Sequence, residues 1–302
     1  MNTHEDIERF EHDVAVIGAG RVGQALALLL RRAGARITAV SVRRAEDLDA
    51  AALATGGRGT TDNAEAARSA KVVLVTVGDD DIESVVCEIA GRDGFSPGQF
   101  VIHASGVHGL APLRAASSAG AMTGCVHPLQ SFVSVPHAVD AIPGTIFGVT
   151  TEPDARELLE ALVRAAGGVP VLIEEADKPL YHAAASVASN LLVALEDMAI
   201  EMFVRAGMPE ASAREAVDPL LQGTVANVRR FGTRQALTGP IVRGDIETVR
   251  RHLQALEALP ALYRESYRAL AAHAVDMAES RGDIDGSRAG SMHRLLGGER
   301  TL

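Results

Sequence analysis

The segment DKPLYHAAASVASN, which begins at Asp177, carries polar side chains at a regular spacing of four residues. They are Lys178, His182, Ser186 and Asn190. Residues four apart share a face of an α-helix, so these side chains form one polar stripe on an otherwise apolar, alanine-rich helix. A carbonyl that accepts a hydride needs a hydrogen-bond donor and a proton at its oxygen. We therefore predict catalytic roles for Lys178, His182 and Asn190 and a substrate contact for Ser186. Lys178 or His182 would supply the proton, and a solvated stripe is the alternative.

Two further polar segments each follow an apolar run that is typical of a β-strand. HASG begins at His103, and HPLQSF begins at His127. Because ligands of open α/β sheets bind outside the carboxyl ends of the strands, we predict that Ser105, His127 and Gln130 contact the substrate. Arg243, in TGPIVRGD, is a candidate cation for a substrate carboxylate. That segment could equally be a turn that caps the following helix.

A glycine-rich turn near the start of the chain predicts a dinucleotide site. The segment GAGRVG matches G-x-G-x-x-G; it follows the apolar run 13–17 and opens a helical pattern at 22–32. Such a turn lets the backbone approach a pyrophosphate at a helix N-terminus. The spacing differs from the G-x-G-x-G of methyltransferases. The predicted cofactor contacts are Gly18, Ala19, Gly20, Arg21, Val22 and Gly23, with Val77 and Gly78 at the end of a later strand.

The segment after the second predicted strand indicates which nicotinamide cofactor is bound. Sites for NAD usually place an acidic residue there, whereas this chain has Ser41, Arg43 and Arg44. A hydroxyl and two guanidinium groups suit the 2′-phosphate of NADP, because arginine pairs with phosphate through two hydrogen bonds. We predict NADP, with NAD as the alternative; a solvated arginine pair is the other interpretation.

The arrangement of apolar runs predicts an α/β fold with two domains. Strands are expected at 13–17, 36–42, 71–77 and 99–104 and near 122–126, 145–149 and 169–173, with helices between them at 22–32, 45–54, 63–69 and 80–90. After Glu174 only helices are expected, at 177–205, 210–230, 244–257 and 260–280, with a loop at 232–240. This order predicts a doubly wound sheet at 12–174, an all-helical domain at 175–281, and mobile tails at 1–11 and 282–302.

Composition excludes several classes of protein. The chain of 302 residues has a net charge of −10 and 3% aromatic residues, without the basic surface of a nucleic-acid binder. Its two cysteines are too few for a disulfide framework or a structural zinc site, and we expect no bound metal. The polar N-terminus is unlike a signal peptide. The sequence contains no run of about 18 apolar residues, so we expect no membrane span. We expect a cytoplasmic protein. Only two of its 29 basic residues, Lys71 and Lys178, are lysines.

Taken in order, these motifs resemble those of bacterial oxidoreductase-like proteins that join a Rossmann-like domain to the domain of unknown function 2520. The resemblance covers about residues 12 to 275, and the 6-phosphogluconate dehydrogenase-like superfamily is similar more distantly. The resemblance implies a nicotinamide cleft between the domains and a homodimer, often formed through the helical domain. In two members of that superfamily, the 3-hydroxyacid dehydrogenases and the ketopantoate reductases, this helix carries a lysine that is followed four residues later by asparagine. Lys178 matches that lysine, whereas His182 replaces the asparagine, and the nearest asparagine is Asn190.

The sequence therefore predicts an NADP-dependent reductase of a small oxo acid, with a ketopantoate-like 2-oxo acid as first choice. A carbonyl substrate is placed before an imine because the Lys178 amine suits a carbonyl better. The enzymatic alternatives are an imine reductase and an NADP reductase linked to coenzyme F420. The alternative outside enzymes is an NADP-binding sensor or scaffold, because a fold does not fix a function.

Overall fold

The computed structural model describes residues 8–297, which fold as two compact units divided between Leu191 and Leu192. The first unit contains eight strands: β1 Asp13–Ile17, β2 Arg36–Ser41, β3 Arg58–Thr60, β4 Val72–Val75, β5 Phe100–His103, β6 Met122–Pro128, β7 Ile146–Thr151 and β8 Val169–Leu172. Its helices are α1 Arg21–Arg32, α2 Leu48–Thr55, α3 Asn63–Arg68, α4 Ile82–Ala90, α5 Arg114–Ser118, α6 Val135–Ala141, α7 Arg156–Ala165 and α8 Lys178–Ala188.

The strands form one sheet in the order β3-β2-β1-β4-β5-β6-β7-β8. Neighbours run parallel except β6 and β7, which pair antiparallel. Side chains of β4 alternate between two apolar cores, with Val72 and Leu74 in one and Val73 and Val75 in the other. Helices cover both faces, which explains why this strand is apolar on both sides. The predicted doubly wound α/β architecture is confirmed.

The second unit is helical among the residues that the structure describes. Its elements are α9 Asn190–Arg205, which begins just before the boundary, α10 Glu210–Ala236, α11 Ile246–Ala255, α12 Ala261–Arg281 and α13 Gly286–Leu296. Its core includes Val249, Val275 and Met292. Asp245 accepts a hydrogen bond from Thr248 N and caps α11, which is one of the two interpretations that the TGPIVRGD segment allows.

Several sequence-based expectations need correction. The predicted helix 177–205 is two helices, because Ser189 leaves the helical conformation (φ −127°, ψ −80°). Helix α10 continues to Ala236 through non-helical Gly232, where a loop was expected. Strand β3 was missed because three residues carry no periodic signal. The first unit includes residues 175–191, which were assigned to the helical domain.

The expected mobile tails also need correction. Helix α13 lies in the tail that begins at residue 282, and it buries Ala289, Met292, His293 and Leu296. These four lie on one face of the helix, a pattern that the surrounding Gly, Ser and Arg residues obscured. At the other end Phe10 is only 2% exposed and packs into the core of the first unit. Residues 1–7 and 298–302 of the expected tails lie outside the described residues.

Candidate functional site

The glycine turn lies where the order of the strands changes direction, between β1 and β4. Gly18 follows β1 directly and adopts a φ of +93°, a conformation that glycine reaches without strain. Gly20 begins α1, and no side chain caps the free N–H groups of that first turn. The turn therefore presents backbone donors at the edge of the sheet where ligands bind in open α/β folds.

Thr76, at the end of β4, holds the glycine turn in place. Its Oγ1 donates to Gly18 O at 2.7 Å. A Cβ on Gly23 would lie 2.2 Å from Thr76 Oγ1 and 2.6 Å from Gly18 O. Gly23 is therefore needed for close packing between α1 and the turn, the role expected of the third glycine.

A cavity of about 640 Å³ opens beside this turn. Its wall contains seven of the predicted cofactor residues: Gly18, Ala19, Gly20, Ser41, Arg43, Val77 and Gly78. Thr76, Gln24, Asp47, Thr61, Asn63 and Asp81 also line it and were not predicted. A dinucleotide fits this donor set, because the lining residues combine glycine backbone with polar side chains.

The two predicted phosphate-binding arginines differ in their surroundings. Arg43 lines the cavity and pairs with Asp81 at 3.1 Å. Arg44 is absent from the wall; its guanidinium instead donates to both carboxylate oxygens of Asp47, at 3.0 and 3.2 Å. An exposed ion pair such as Arg43–Asp81 contributes little, so Arg43 is free to turn towards a ligand.

Arg21 and Val22 are not on the cavity wall. Arg21 is exposed, and its Nη1 donates to Phe132 O at 2.7 Å, whereas Val22 packs against the apolar core. Phe132 belongs to the HPLQSF segment, so Arg21 joins the glycine turn to the second polar loop. The turn and that loop therefore lie side by side in the first unit.

A second cavity of about 820 Å³ lies against the HPLQSF segment and α8. Five predicted site residues line it: His127, Gln130, His182, Ser186 and Asn190. The HPLQSF segment and the polar stripe thus contribute to the same cavity wall. Tyr181 also lines the cavity and was not predicted, although it lies next to His182 and is one of only three tyrosines in the chain.

Lys178 does not line this cavity. Its side chain is 1% exposed, and its Nζ donates to Ser105 O and contacts Cys125 Sγ, both at 3.0 Å. The Cys125 thiol donates to the same carbonyl at 3.1 Å, and burial raises the pKa of this thiol. The amine therefore holds the loop after β5 against β6, and its predicted catalytic role stays a prediction.

The loop after β5 is fixed by its own histidine. Ser105 N donates to His103 Nδ1 at 3.1 Å, so the proton lies on Nε2, 2.8 Å from Gly109 O. Ser105 Oγ accepts from His108 N at 3.2 Å, and Ser105 does not line the second cavity. Its predicted substrate contact stays a prediction.

His127 and Tyr181 form a close pair at the cavity wall. His127 Nδ1 lies 2.9 Å from Tyr181 Oη, and the rings of His127 and His182 have centroids 5.9 Å apart. A Cβ on Gly106 would lie 2.4 Å from His182 and 2.8 Å from His127 Nε2. The two rings thus pack against the backbone of Gly106, where the side chain of any other residue would overlap them.

Burial sets the protonation of these rings. It lowers the pKa of His127 to about 4, and the positive charge of Lys178 adds to this effect. Burial also lowers the pKa of His103 to about 4, although the hydrogen bond to Gly109 O by itself raises this pKa. The phenol of Tyr181 is buried enough that its pKa rises to about 12. All three groups are therefore neutral near pH 7.

These histidines make the first unit sensitive to acid. The pKa of His103 is about 4 when folded, and an unfolded histidine titrates near 6.5. Because the unfolded chain binds the proton first, the free energy of unfolding is constant above about pH 6.5 and falls by about 3 kcal/mol towards pH 4 for this residue alone. Denaturant unfolding at pH 7 and pH 4.5 measures the loss. His103→Gln should show a smaller loss than wild type, with exposed His137→Gln as the control; an equal loss would contradict this origin.

Arg243 lies in the helical unit, in the turn that precedes α11. Its predicted substrate contact stays a prediction. Residues 8–297 contain no group of three or more His, Cys, Asp or Glu side chains arranged to hold a metal ion. Over the same residues, no helix has the length and apolar character needed to cross a membrane.

Comparison with known families finds two matches along the chain. Residues 1–128 match a Rossmann-like domain, and residues 145–274 match the domain of unknown function DUF2520. The second match begins within the sheet, near β7. No curated protein matches the chain significantly.

Solved structures share the fold across almost the whole chain. A candidate NADP oxidoreductase from Bacteroides fragilis is 24% identical with a TM-score of 0.70, covering 90% of this chain and 100% of that one. An imine reductase from Streptomyces aurantiacus is 15% identical with a TM-score of 0.63, covering 94% and 99%. A pyrroline carboxylate reductase from Plasmodium falciparum, solved with NADP bound, is 16% identical with a TM-score of 0.59, covering 93% and 99%. At these identities the likeness establishes the fold.

Proposed function

For a chain that joins a Rossmann-like domain to a DUF2520 domain, we propose the function of an NADP-dependent reductase of a small carbonyl compound. The observation that carries the proposal is the pair of neighbouring cavities in the first unit. One lies at the glycine turn, and the other is lined by neutral hydrogen-bond donors. The Bacteroides and Plasmodium structures, whose names include NADP, support the same cofactor.

The cofactor site is supported by the shape of the turn. Gly20 lines the cavity, and a Cβ there would meet only Thr76 O, at 3.8 Å, so the protein leaves this space open. The N–H groups at the start of α1 would hold the pyrophosphate, and Arg43 would hold the 2′-phosphate. Bound NADPH would supply a hydride to the substrate. The chain's own residues would bind the substrate, orient it and protonate it.

The second cavity favours a carbonyl substrate. Reduction of a carbonyl needs a proton at oxygen, and His127, Tyr181 and His182 place donor groups on the wall. The residues that line it include no lysine or arginine. A 2-oxo acid of the ketopantoate type would therefore be held by neutral donors, with Arg21 beside Phe132 as the nearby cation. We propose small oxo acids as the first class to test, and imines as the second because an imine reductase shares the fold.

A substrate panel tests this function. Oxidation of NADPH is followed with small 2-oxo acids, neutral ketones, cyclic imines and oxidised coenzyme F420. We expect turnover with at least one oxo compound. Turnover with imines or coenzyme F420 alone would overturn the carbonyl assignment. Tight NADPH binding without any turnover would support the alternative function of an NADP-binding sensor or scaffold.

The choice of cofactor depends on Arg43. We expect Arg43→Ala to weaken NADPH binding about tenfold, or about 1.4 kcal/mol, and NADH binding much less, because only NADPH carries the phosphate that the guanidinium would bind. Arg44→Ala is the matched control, since Arg44 does not line the cavity. Calorimetric titration of both variants with both cofactors measures the effect. Equal losses for NADPH and NADH would contradict it, as would tighter wild-type binding of NADH.

We also propose a cytoplasmic homodimer formed through the helical unit. A groove in that unit is lined by apolar side chains that include Leu195, Met198, Met202 and Leu270. Leu195 and Leu270 are 41% and 53% exposed in the single chain, which a second copy would cover. Light scattering should give the mass of a dimer, and Leu270→Asp should reduce it. A monomer mass for wild type would contradict the proposal.

A further inference from the structure

The ring of His127 is fixed at one nitrogen and free at the other. Nδ1 lies 2.9 Å from Tyr181 Oη, which is the hydrogen bond that the ring makes within residues 8–297. Nε2 has no such partner there and lies beside the backbone of Gly106. The ring lines the 820 Å³ cavity. One nitrogen is therefore available to a molecule bound there.

Tyr181 is held against the sheet by close packing. Its single O–H has two acceptors in reach, His127 Nδ1 at 2.9 Å and His127 O at the longer distance of 3.3 Å, and a Cβ on Gly148 would lie 2.5 Å from Oη. Gly148 faces His127 across the antiparallel pair of β6 and β7. The phenol thus occupies the space that a side chain at position 148 would fill. The pairing of β6 with β7 therefore sets the position of the phenol relative to the imidazole of His127.

Resting on the proposed reductase function, we propose that His127 is the proton donor through Nε2 and that Tyr181 is its positioning residue. In this proposal the single O–H of Tyr181 is donated to Nδ1, the nearer of its two acceptors, and this places the imidazole proton on Nε2. As the substrate oxygen becomes negative, the Nε2–H bond breaks, an O–H bond forms on the substrate, and the Tyr181 proton passes to Nδ1. A solvent proton then binds Nε2 and the Nδ1 proton returns to Tyr181, so one solvent proton is consumed in each cycle.

The other candidate donors are less well placed. The Lys178 amine is bound to Ser105 O, outside the cavity wall. His182 lines the cavity, but in the described part of the chain no hydrogen bond fixes either of its ring nitrogens. At His127, one ring nitrogen is held by Tyr181 and the other has no hydrogen-bond partner among residues 8–297.

The charges around His127 favour a neutral ring. Burial is the main cause of its pKa of about 4, and Lys178, His182 and His103 lower the pKa further while Asp79 opposes them. A neutral imidazole can act as the donor at a developing oxyanion, as in triosephosphate isomerase. The donor state of His127 should therefore persist from about pH 5 upwards.

The tautomer of His127 can be measured without any substrate. Nitrogen NMR of the whole protein, labelled with ¹⁵N at histidine, distinguishes a proton on Nε2 from one on Nδ1, and His127→Gln assigns the signals. We expect the Nε2–H form in wild type and a mixture of both tautomers in Tyr181→Phe. Tyr263→Phe, which removes a tyrosine hydroxyl from the other unit, should keep the wild-type tautomer. A proton on Nδ1 in wild type would overturn the proposal, as would an unchanged spectrum in Tyr181→Phe.

Kinetics separate this proposal from the proposed function. With the best carbonyl substrate from the panel, Tyr181→Phe should lower kcat at least about tenfold and change KM less than about threefold. A kcat within about twofold of wild type would remove Tyr181 from the mechanism while leaving the reductase function intact. Absence of turnover in wild type would count against the function, and the tautomer would still decide the proposal about His127 and Tyr181.

Discussion

Gly20→Ala is expected to abolish tight NADPH binding while leaving the protein folded. In the free protein the added Cβ would meet only Thr76 O at 3.8 Å, and the backbone of Gly20 has an ordinary φ of −73°. The methyl group would instead project into the cavity, where the pyrophosphate must approach the turn. We expect the dissociation constant of NADPH to rise at least about a hundredfold, or about 2.8 kcal/mol, with a melting temperature within about 2 °C of wild type.

Gly23→Ala is the informative contrast. Its Cβ would lie 2.2 Å from Thr76 Oγ1 and 2.6 Å from Gly18 O, so the turn or α1 must shift even without a ligand. This variant should lose both stability and binding. Calorimetry and thermal unfolding on the two variants give the comparison. If Gly20→Ala binds NADPH as wild type does, the cofactor does not lie against this turn.

Lys178→Ala is expected to have the largest effect on stability. The substitution removes one of the largest fully buried side chains and leaves Ser105 O without its amine donor. The Cys125 thiol would remain as a weak donor to that carbonyl. The cavity and the lost amine hydrogen bond together cost about 3 kcal/mol of unfolding free energy. Lys178→Met, which keeps the volume but not the donor, should cost about 1–2 kcal/mol.

The other lysine provides the matched control. Lys71 is exposed, with its amine 5.6 Å from the centre of the Phe100 ring. Lys71→Ala should change the unfolding free energy by no more than about 0.5–1 kcal/mol. Denaturant unfolding of the three variants measures the differences. Equal costs for Lys71→Ala and Lys178→Ala would show that the buried amine does not hold the loop after β5.

The sequence predicts the fold well because its signals are local. The run KVVLVTV predicts a strand covered on both faces, and GAGRVG predicts a strand, a turn and a helix in order. The turn lies at the switch point of the sheet. Features that depend on tertiary packing were missed: three-residue β3 and α13, whose buried face is hidden by a flexible composition.

The candidate site is predicted in part for the same reason. Spacing alone places His182, Ser186 and Asn190 together, and the structure puts all three on one cavity wall. Spacing does not say whether the first residue of the stripe points outward, and Lys178 turns into the core to meet Ser105 and Cys125. Tyr181 was missed because its contact with His127 joins residues that are far apart in the sequence.

The most direct test of the account follows the hydride itself. The protein is incubated with NADPH that carries deuterium on the transferable position of the nicotinamide, together with the oxo compound that the panel identifies, and the product is examined by mass spectrometry. A reductase that works in these two cavities should place one deuterium on the carbon of the former carbonyl. Gly20→Ala should lose the transfer at NADPH concentrations that saturate wild type. NADPH oxidation without deuterium in the product would contradict the proposed function, and so would full transfer by Gly20→Ala.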